Sequence, residues 1–330
     1  MKAAYIERTG PPDVIQVADL PQPKIEPAQV LVKIGAVAVN PIDTYIRNGA
    51  NYWPLPIPFI IGADFAGTVV EVGSQVTAFQ PGDRVWGSNQ GFMGRQGCFA
   101  EYAAIDAHWC YPTPSDVTDE AAAASALVGI TAHLGLFQRA AIKPGESLFV
   151  NGGSGGVGSV VVQMAKAAGA RVIATAGSSE KMAAVKALGA DEVLNYTTDD
   201  IAAAVQKFSP GGVNVYWETT REPDFEKIVP LLAERARMLL MAGRDAKPSF
   251  PVGPFYVKGC SLLGFVMFKA TPDEQRICAG DISRWLSSGM LKAHIGQILS
   301  LSEAAKAHQL QEENTLRKSN TLCGKIVLKP

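Results

Sequence analysis

Five glycines lie within nine residues in the stretch NGGSGGVGS (151–159), directly after the apolar run SLFV. Gly153, Gly155 and Gly158 form the pattern G-x-G-x-x-G, and the helix-like segment SVVVQMAKAAG overlaps its end. Without side chains at these positions, a pyrophosphate can approach the backbone N–H groups and helix N-terminus that stabilise it. The apolar run RVIATA (171–176) completes the strand–helix–strand unit that this fingerprint requires, so the stretch predicts a dinucleotide-binding loop. The expected contacts are Gly153, Ser154, Gly155, Gly156 and Val157.

The residues that follow RVIATA indicate which dinucleotide this loop would hold. A site for NAD usually places an Asp or Glu about twenty residues after the loop. This sequence has Gly177 and Ser178 there instead, and Lys181 follows shortly after. A hydroxyl group and a lysine attract a 2′-phosphate, which an acid at the strand end would repel. We therefore predict NADP(H) rather than NAD(H), and we expect Tyr196, at the end of the run LNY, to lie near the same phosphate.

The elements that must position this loop alternate between strand and helix. Six short apolar runs, from SLFVNG to GCSLLGFV, are mostly separated by segments whose apolar residues are spaced for one helix face. The alternation predicts a doubly wound parallel sheet over 125–267. Residues 1–124 have the short β-branched runs and Pro/Gly turns of a β-rich domain, and we expect 268–330 to pack back on it. The predicted fold class is therefore α/β with two domains.

Two further groups of residues follow predicted strands of this sheet. Open α/β sheets bind ligands at the carboxyl ends of their strands, so we expect both groups to contact the cofactor. Ala242, Gly243 and Arg244 follow the fifth strand, and Phe265 and Val266 end the sixth. For Arg244, an exposed loop position is the alternative.

Composition limits the classes of partner. The chain has 330 residues, 47% of them hydrophobic, and a formal net charge of −1, so it has no electrostatic footprint for nucleic acid or an anionic membrane. We find no apolar run of the length that a spanning helix needs and no signal-peptide pattern at the N-terminus. The five cysteines are scattered, which predicts neither disulfides nor a structural zinc site. We expect a cytoplasmic protein that binds a small molecule.

Several separated segments together resemble the medium-chain dehydrogenase/reductase superfamily, and within it the zinc-free quinone oxidoreductase, or zeta-crystallin-like, group. These segments are VNPIDTYIRNG (39–49), PFIIGADFAGTVVEVG (58–73), QPGDRVWG (80–87), FAEYA (99–103), GITA (129–132), KPGESLFVNGGSGGVG (143–158) and GKIVL (324–328). The resemblance implies a GroES-like substrate domain built from 1–124 and 268–330 and a Rossmann domain at 125–267 that binds NADPH. It also implies a substrate cleft between the domains, and dimers or tetramers assembled through the edges of the Rossmann sheets.

The resemblance also assigns candidate site residues. It places Asn40 and Tyr45 at the nicotinamide end of the cleft as catalytic candidates, with Asn40 also contacting the cofactor, and it makes Thr131 a cofactor contact. Tyr52, Trp53 and Phe92 are candidate walls of the substrate pocket, with packing in a surface loop as the alternative for Tyr52 and Trp53, and the glycine-rich segment 88–97 is a candidate lid. Asp43, Arg47 and Asp64 resemble a structural polar set rather than catalysts.

The sequence departs from the zinc-dependent alcohol dehydrogenases of the superfamily at their metal ligands. Those enzymes have a catalytic cysteine where this chain has Asn40, and a G-H-E motif where it has Gly62, Ala63 and Asp64. The structural-zinc lobe is also missing, since residues 85–103 contain a single cysteine, Cys98. We therefore predict no zinc. Hydride transfer without a metal needs an acceptor that is already electron-poor, such as a quinone.

Three functions remain open from the sequence. The leading one is an NADPH-dependent quinone reductase, and an NADPH-dependent enone (double-bond) reductase needs the same metal-free site. A non-catalytic cofactor-binding or RNA-binding protein of the crystallin type is the alternative from another class, and the near-neutral charge argues against RNA. An alcohol dehydrogenase is disfavoured because the ligands for zinc are absent.

Overall fold

The computed structural model describes residues 1–50, 53–317, 319 and 321–330. The chain divides into two compact units: unit 1 comprises residues 1–130 and 270–330, and unit 2 comprises residues 131–269. The functional domain limits expected from the sequence, at 124/125 and 267/268, stay a prediction.

The first part of unit 1 consists of strands and two α-helices, and the second of these helices ends in unit 2. The strands are β1 (Lys2–Ile6), β2 (Gln16–Asp19), β3 (Gln29–Val39), β4 (Phe59–Ile60), β5 (Asp64–Val72), β6 (Arg84–Gly87), β7 (Tyr102–Asp106) and β8 (Cys110–Pro112), and the helices are α1 (Pro41–Arg47) and α2 (Asp119–His133). Helix α1 begins directly after β3 because Pro41 suits a first helical position and the Asp43 carboxylate accepts a hydrogen bond from the Asn40 N–H at 2.8 Å.

Unit 2 is a six-stranded parallel sheet with its connecting helices. Its elements are β9 (Ser147–Asn151), α3 (Gly156–Ala167), β10 (Arg171–Ala176), α4 (Ser179–Ala187), β11 (Glu192–Asn195), α5 (Ile201–Phe208), β12 (Val213–Glu218), α6 (Phe225–Leu231), β13 (Leu232–Leu240), α7 (Val252–Val257) and β14 (Ser261–Gly264). The strand order is β11-β10-β9-β12-β13-β14, with every neighbouring pair parallel. This is the doubly wound order of a Rossmann fold, with its switch point between β9 and β12. The predicted fold class is confirmed.

The chain then returns to unit 1 through α8 (Pro272–Ser287), β15 (Ile295–Ser300), α9 (Ala304–Thr315) and β16 (Lys325–Lys329). The main sheet of unit 1 has the order β15-β16-β3-β5-β6-β8, with β7 also paired to β3. Ile326 of β16 lies opposite Val39 of β3, and Ala38 of β3 lies opposite Asp64 of β5. This register brings the residues at one end of β16, β3 and β5 together.

One helical stretch, Asp119–Arg139, is 21 residues long and apolar enough to cross a membrane. This corrects the sequence-based expectation that no run reaches such a length. However, 78% of its most apolar window is buried inside the protein, which is how a core helix of a globular protein behaves. The stretch is therefore weak evidence for a membrane span.

Candidate functional site

The glycine loop, residues 152–155, connects β9 to α3 at the carboxyl edge of the parallel sheet. A Cβ added to Gly158 would lie 2.1 Å from the Gly152 carbonyl oxygen, so only a glycine lets α3 approach the loop this closely. Gly155 differs, because an added Cβ would meet only the Gly152 carbonyl oxygen, at 3.6 Å, among the described residues. The protein itself therefore does not fill the space beside Gly155.

This space suits a pyrophosphate. Helix α3 begins at Gly156 and runs for 12 residues, and the first N–H groups of a helix have no acceptor within the helix. They also mark the positive end of the helix dipole. An anion beside Gly155 would therefore meet helix N–H groups across bare backbone, which is the arrangement that binds dinucleotide phosphates. The residues present fit this group.

Asn151, the last residue of β9, ties the loop to the two neighbouring strands. Its amide nitrogen donates to both carboxylate oxygens of Glu218 on β12, at 3.0 and 3.1 Å. Its Oδ1 accepts from Thr175 Oγ1 on β10 at 2.9 Å, and that hydroxyl accepts from the Gly152 N–H at 2.9 Å. Burial raises the pKa of the Glu218 carboxyl, while the Thr220 N–H, which donates to it at 2.7 Å, opposes that rise. Three strand ends therefore hold the start of the loop.

Sequence reasoning missed this network. The available signal was a polar residue at or near the end of each of three apolar runs, namely Asn151, Thr175 and Glu218. Parallel pairing of β9 with both β10 and β12 places these three ends side by side.

The residues expected at the 2′-phosphate follow β10 and β11. Ser178 caps α4, since its Oγ accepts from the Lys181 N–H at 3.3 Å. The Tyr196 N–H donates to the Ala176 carbonyl at 3.3 Å, so the segment after β11 lies beside the end of β10. Tyr196 is 52% exposed, whereas Lys181 is only 6% exposed. The structure thus brings these segments to one corner of the sheet, and contact with a phosphate stays a prediction.

The other cofactor candidates of unit 2 lie after β13 and β14, with one exception. Gly243 has a φ of 80°, and the exposed Arg244 forms an ion pair with Asp245 at 3.3 Å. Phe265 packs edge-on against Trp217 with ring centroids 6.1 Å apart. Thr131 is the exception, because it is a buried residue of α2 rather than of a strand end.

The catalytic candidate Asn40 belongs to a buried polar cluster in unit 1, which also contains Asp43, Asp64 and Lys325. Its Nδ2 donates to Asp64 Oδ2 at 2.8 Å and to the Ala38 carbonyl at 3.3 Å, and its Oδ1 accepts from Lys325 Nζ. Asn40 is fully buried. Both amide hydrogens of Asn40 therefore form hydrogen bonds within unit 1. In this arrangement neither hydrogen is available for the predicted donation to substrate or cofactor.

The ionisable groups of the cluster are perturbed by burial. Burial raises the pKa of the Asp43 carboxyl to about 7, and the charge of Asp64 adds to that rise. Burial also raises the pKa of Asp64, which Lys325 opposes. The pKa of the Lys325 ammonium is lowered by burial, and the two carboxylates oppose that change. The structural polar set expected from the sequence was Asp43, Arg47 and Asp64, and it did not include Lys325. Arg47 is buried but donates to the Glu312 carboxylate on α9.

The remaining substrate candidates are aromatic residues of unit 1. Tyr45 is half-buried on α1. Trp53 and Phe92 pack edge to face, with ring centroids 6.3 Å apart, and Phe92 is fully buried. Tyr52 lies outside the described residues. A pocket-wall role for Trp53 and Phe92 remains a prediction, and Phe92 has no exposed surface in this structure.

The candidate lid, residues 88–97, is mostly buried and hydrogen-bonded. The Gln90 N–H donates to the Ala63 carbonyl at 3.3 Å, and the Arg95 guanidinium donates twice to the Asn89 carbonyl, at 2.8 and 3.0 Å. Met93, near the tip, is exposed. These bonds describe a folded turn attached to unit 1 rather than a loose flap.

The sheet order and the glycine loop define a dinucleotide-binding fold, and comparison with known proteins adds the class of oxidoreductase. Residues 26–115 match the alcohol dehydrogenase GroES-like domain family, and residues 156–280 match the zinc-binding dehydrogenase family. The chain is 32% identical to human quinone oxidoreductase over 99% of this chain and 97% of that one. It also resembles the crystal structure of Escherichia coli quinone oxidoreductase complexed with NADPH, with a TM-score of 0.87, 26% identity and full coverage of both chains. A tomato 2-methylene-furan-3-one reductase is 35% identical over 76% of this chain and 64% of its own.

The chain belongs to the medium-chain dehydrogenase/reductase superfamily, in its quinone oxidoreductase group. The family resemblance stated from the sequence is confirmed, as are the GroES-like and Rossmann folds of the two units.

The description of one matching family implies zinc, and the donor set of unit 1 does not fit it. Zinc sites need thiolate, imidazole or carboxylate ligands in tetrahedral arrangement. Among the described residues, no group of three or more His, Cys, Asp or Glu is placed to hold a metal ion. Cys98 is buried, which raises the pKa of its thiol, and it donates to the carbonyl oxygens of Gly62 and Asp64. The nearest cation to Asn40 is instead the Lys325 ammonium.

Proposed function

We propose that this protein is a zinc-independent NADPH:quinone oxidoreductase. The observation that supports this most strongly is the full-length similarity to quinone oxidoreductases, together with a buried polar cluster that lacks a zinc ligand set. Without a Lewis acid, the site needs an acceptor whose own π system stabilises the incoming negative charge, and a quinone meets that requirement.

The glycine loop and the segments at the same sheet edge would hold NADPH. Gly155, Gly156 and Val157 bind the pyrophosphate through backbone N–H groups. Ser178, Lys181 and Tyr196 surround the 2′-phosphate, since they lie after neighbouring strands. Bound NADPH supplies the hydride. The other proposed cofactor contacts are Thr131, Gly153, Ser154, Gly177, Ala242, Gly243, Arg244, Phe265 and Val266. Asn40 is not among them, because it is fully buried and its amide is bonded within unit 1.

On the substrate side, the chain's own residues orient the acceptor and exclude water. Tyr45, half-buried on α1, is the proposed donor, and its phenol would donate a hydrogen bond to an acceptor oxygen. Asn40 acts through its cluster, which holds the start of α1 against β5 and β16. Trp53 forms an apolar wall of the acceptor site, and the fully buried Phe92 packs against it from within unit 1.

The second candidate is an NADPH-dependent enone reductase, favoured by the 35% identity to a tomato 2-methylene-furan-3-one reductase. That match covers less of both chains than the match to quinone oxidoreductases, so we place it second.

Steady-state oxidation of NADPH, followed at 340 nm, distinguishes these functions. The purified protein is treated with a chelator, dialysed, and assayed against a series of quinones, α,β-unsaturated ketones and simple alcohols with NADP⁺. We expect turnover with quinones, and kcat/KM for NADPH at least ~10-fold above that for NADH, because a 2′-phosphate contact with a cation contributes about 1.5–3 kcal/mol. Turnover with enones alone would favour the second candidate. No turnover with quinones or enones would refute an NADPH-dependent reductase.

We also propose a homo-oligomer, a dimer or tetramer, formed through unit 2. Strand β14 ends the strand order of the sheet, and its Leu262 is exposed. On the preceding α7, Val252, Tyr256 and Val257 are exposed as well. An apolar edge strand is a template for pairing with a second copy. Light scattering should give an oligomer for the wild type and a smaller species for Leu262→Asp, while Ile277→Asp, on exposed α8, leaves the mass unchanged. A monomeric wild type would contradict the proposal.

We propose a soluble cytoplasmic location without nucleic-acid or membrane partners. The formal net charge of −1 and the burial of the apolar stretch Asp119–Arg139 support this.

A further inference from the structure

Glu218 is a buried acid at the centre of the parallel sheet. It is the last residue of β12, it lies opposite Asn151 of β9 in the strand register, and it is 1% exposed. Both of its carboxylate oxygens accept from the Asn151 amide nitrogen, at 3.0 and 3.1 Å, and one of them also accepts from the Thr220 N–H at 2.7 Å. A carboxylate is costly to bury unless donors surround it, and a side-chain amide and a backbone N–H supply those donors here.

The charge of Glu218 determines which way the Asn151 amide faces. An ionised carboxylate can only accept hydrogen bonds, so the amide nitrogen must face it and the amide oxygen must face away. That oxygen, Oδ1, accepts from Thr175 Oγ1 at 2.9 Å. The Thr175 hydroxyl has a single hydrogen and uses it here, so it can only accept from its other neighbour, the Gly152 N–H, at 2.9 Å. The acid on β12 therefore sets the direction of each successive hydrogen bond up to the start of the glycine loop.

Gly152, where this series of bonds ends, is closely packed on both sides. Its φ is 89°, and an added Cβ would lie 2.4 Å from Thr219 Oγ1. Its carbonyl oxygen lies 2.1 Å from the position that a Cβ would take at Gly158, in the first turn of α3. The next residue, Gly153, donates its N–H to the Thr175 carbonyl at 2.8 Å. A turned peptide at Gly152 would therefore displace both the loop and the start of α3, which are the parts proposed to bind the pyrophosphate.

We propose that Glu218 is a positioning residue for cofactor binding. Its negative charge fixes the orientation of the Asn151 amide, and through Thr175 that orientation holds the glycine loop in the form that accepts a pyrophosphate. This inference rests on the proposed function, because NADPH is the ligand whose binding Glu218 controls. Glu218 acts through other residues rather than on the reacting atoms, so its effect is on the Kd for NADPH and not on hydride transfer.

The test exchanges the acid and the amide between the two strands in the full-length protein. Glu218→Gln places an amide nitrogen opposite the Asn151 amide nitrogen, and Asn151→Asp places a carboxylate opposite that of Glu218, so each single variant loses the matched pair. The double variant restores it, because the new amide donates to the new carboxylate, which still accepts from the Thr175 hydroxyl. Glu146→Gln is the control, since Glu146 forms an ion pair with Arg237 directly before β9, at the opposite end of the sheet.

Each protein is titrated with NADPH at about pH 8, well above the ordinary pKa range of a carboxyl group. We expect the Kd for NADPH to rise about 10-fold in each single variant and to return to within about 3-fold of the wild-type value in the double variant. Glu146→Gln should leave this Kd unchanged. At saturating NADPH, kcat for quinone reduction should stay within about 2-fold of wild type in every variant, because the reacting atoms are not touched.

Recovery in the double variant supports the proposal, because two independent structural losses would add rather than cancel. If Glu218→Gln binds NADPH as tightly as the wild type, or the double variant binds no more tightly than the single variants, the proposal is wrong. If a single variant does not fold, the double variant decides, since its binding of NADPH should match the wild type. A wild type that binds no NADPH would instead refute the proposed function. Hydrogen exchange at the Gly152 amide, faster in the single variants than in the wild type and the double variant, then tests the positioning by itself.

Discussion

Gly155 and Gly158 belong to the same glycine pattern, yet the structure predicts that adding a methyl group to each has opposite consequences. The Cβ of Gly158→Ala would lie 2.1 Å from the Gly152 carbonyl oxygen, so α3 and the loop must separate by about 1 Å to reach an ordinary contact. Overpacking of this kind costs about 3 kcal/mol, which lowers Tm by roughly 5–10 °C in a protein of this size.

Gly155→Ala meets no such obstacle. Its φ of −75° and ψ of 170° are allowed for alanine, and the nearest described atom would be 3.6 Å away. The folded protein should therefore be as stable as the wild type or about 0.5 kcal/mol more stable. The methyl group enters the space assigned to the pyrophosphate, however. Losing the equivalent of one or two charge-assisted hydrogen bonds costs about 3 kcal/mol, or roughly 100-fold in the Kd for NADPH.

The assay pairs thermal unfolding without ligand with calorimetric titration of NADPH. The expected result is an unchanged Tm and a weakened Kd for Gly155→Ala, against a lowered Tm for Gly158→Ala. If Gly155→Ala binds NADPH as tightly as the wild type, the pyrophosphate does not lie beside Gly155. If Gly158→Ala unfolds at the wild-type temperature, the close approach of α3 to the loop is wrong.

Three further predictions follow from particular contacts. Asn151→Ala should raise the Kd for NADPH about 10-fold, because it releases the glycine loop from the neighbouring strands. Asn214→Ala is the control, because it removes hydrogen bonds to Ser147 at the opposite end of the same strands. It should lower Tm and leave the Kd for NADPH unchanged when both variants are titrated. Burial lowers the pKa of His308 from 6.5 to about 3, so between these pH values the unfolded chain binds a proton that the folded protein does not, and the free energy of unfolding falls as the pH drops below about 6.5. In denaturant unfolding, His308→Gln should lose about 2 kcal/mol less of this free energy than the wild type between pH 7 and pH 5. Lys181→Met should raise KM for NADPH about 10-fold and leave KM for NADH unchanged in steady-state assays, and equal effects on both cofactors would exclude contact with the 2′-phosphate.

The parallel sheet and its glycine loop could be predicted because their signals are local. Each strand of unit 2 contains a short apolar run, most helices have apolar residues on one face, and Gly153, Gly155 and Gly158 lie between a strand and a helix. The sequence order of these elements then leaves few topologies for a parallel sheet.

The buried polar cluster could not be predicted in the same way. Lys325 and Asn40 are 285 residues apart, and only the pairing of β16 with β3 brings them together. A lysine in the run GKIVLKP has no local feature that distinguishes a buried cation from an exposed one. The family resemblance makes Asn40 a catalytic candidate, while in the structure its amide connects the Lys325 ammonium to the Asp64 carboxylate.

The segment 88–97 illustrates a similar limit. Its glycines indicate flexibility, yet Phe92 is buried and Arg95 is hydrogen-bonded to the Asn89 carbonyl. Tertiary packing of one aromatic side chain therefore outweighs the local preference for disorder.

We propose that this protein transfers a hydride from NADPH to a quinone without a metal ion. The most direct test is a single-turnover experiment in which chelator-treated protein, loaded with one equivalent of NADPH, is mixed with excess quinone and absorbance at 340 nm is recorded. We expect the absorbance to decay completely, at a rate that added Zn²⁺ does not increase. A protein that retains its 340 nm absorbance, or that reacts only after Zn²⁺ is restored, would contradict it.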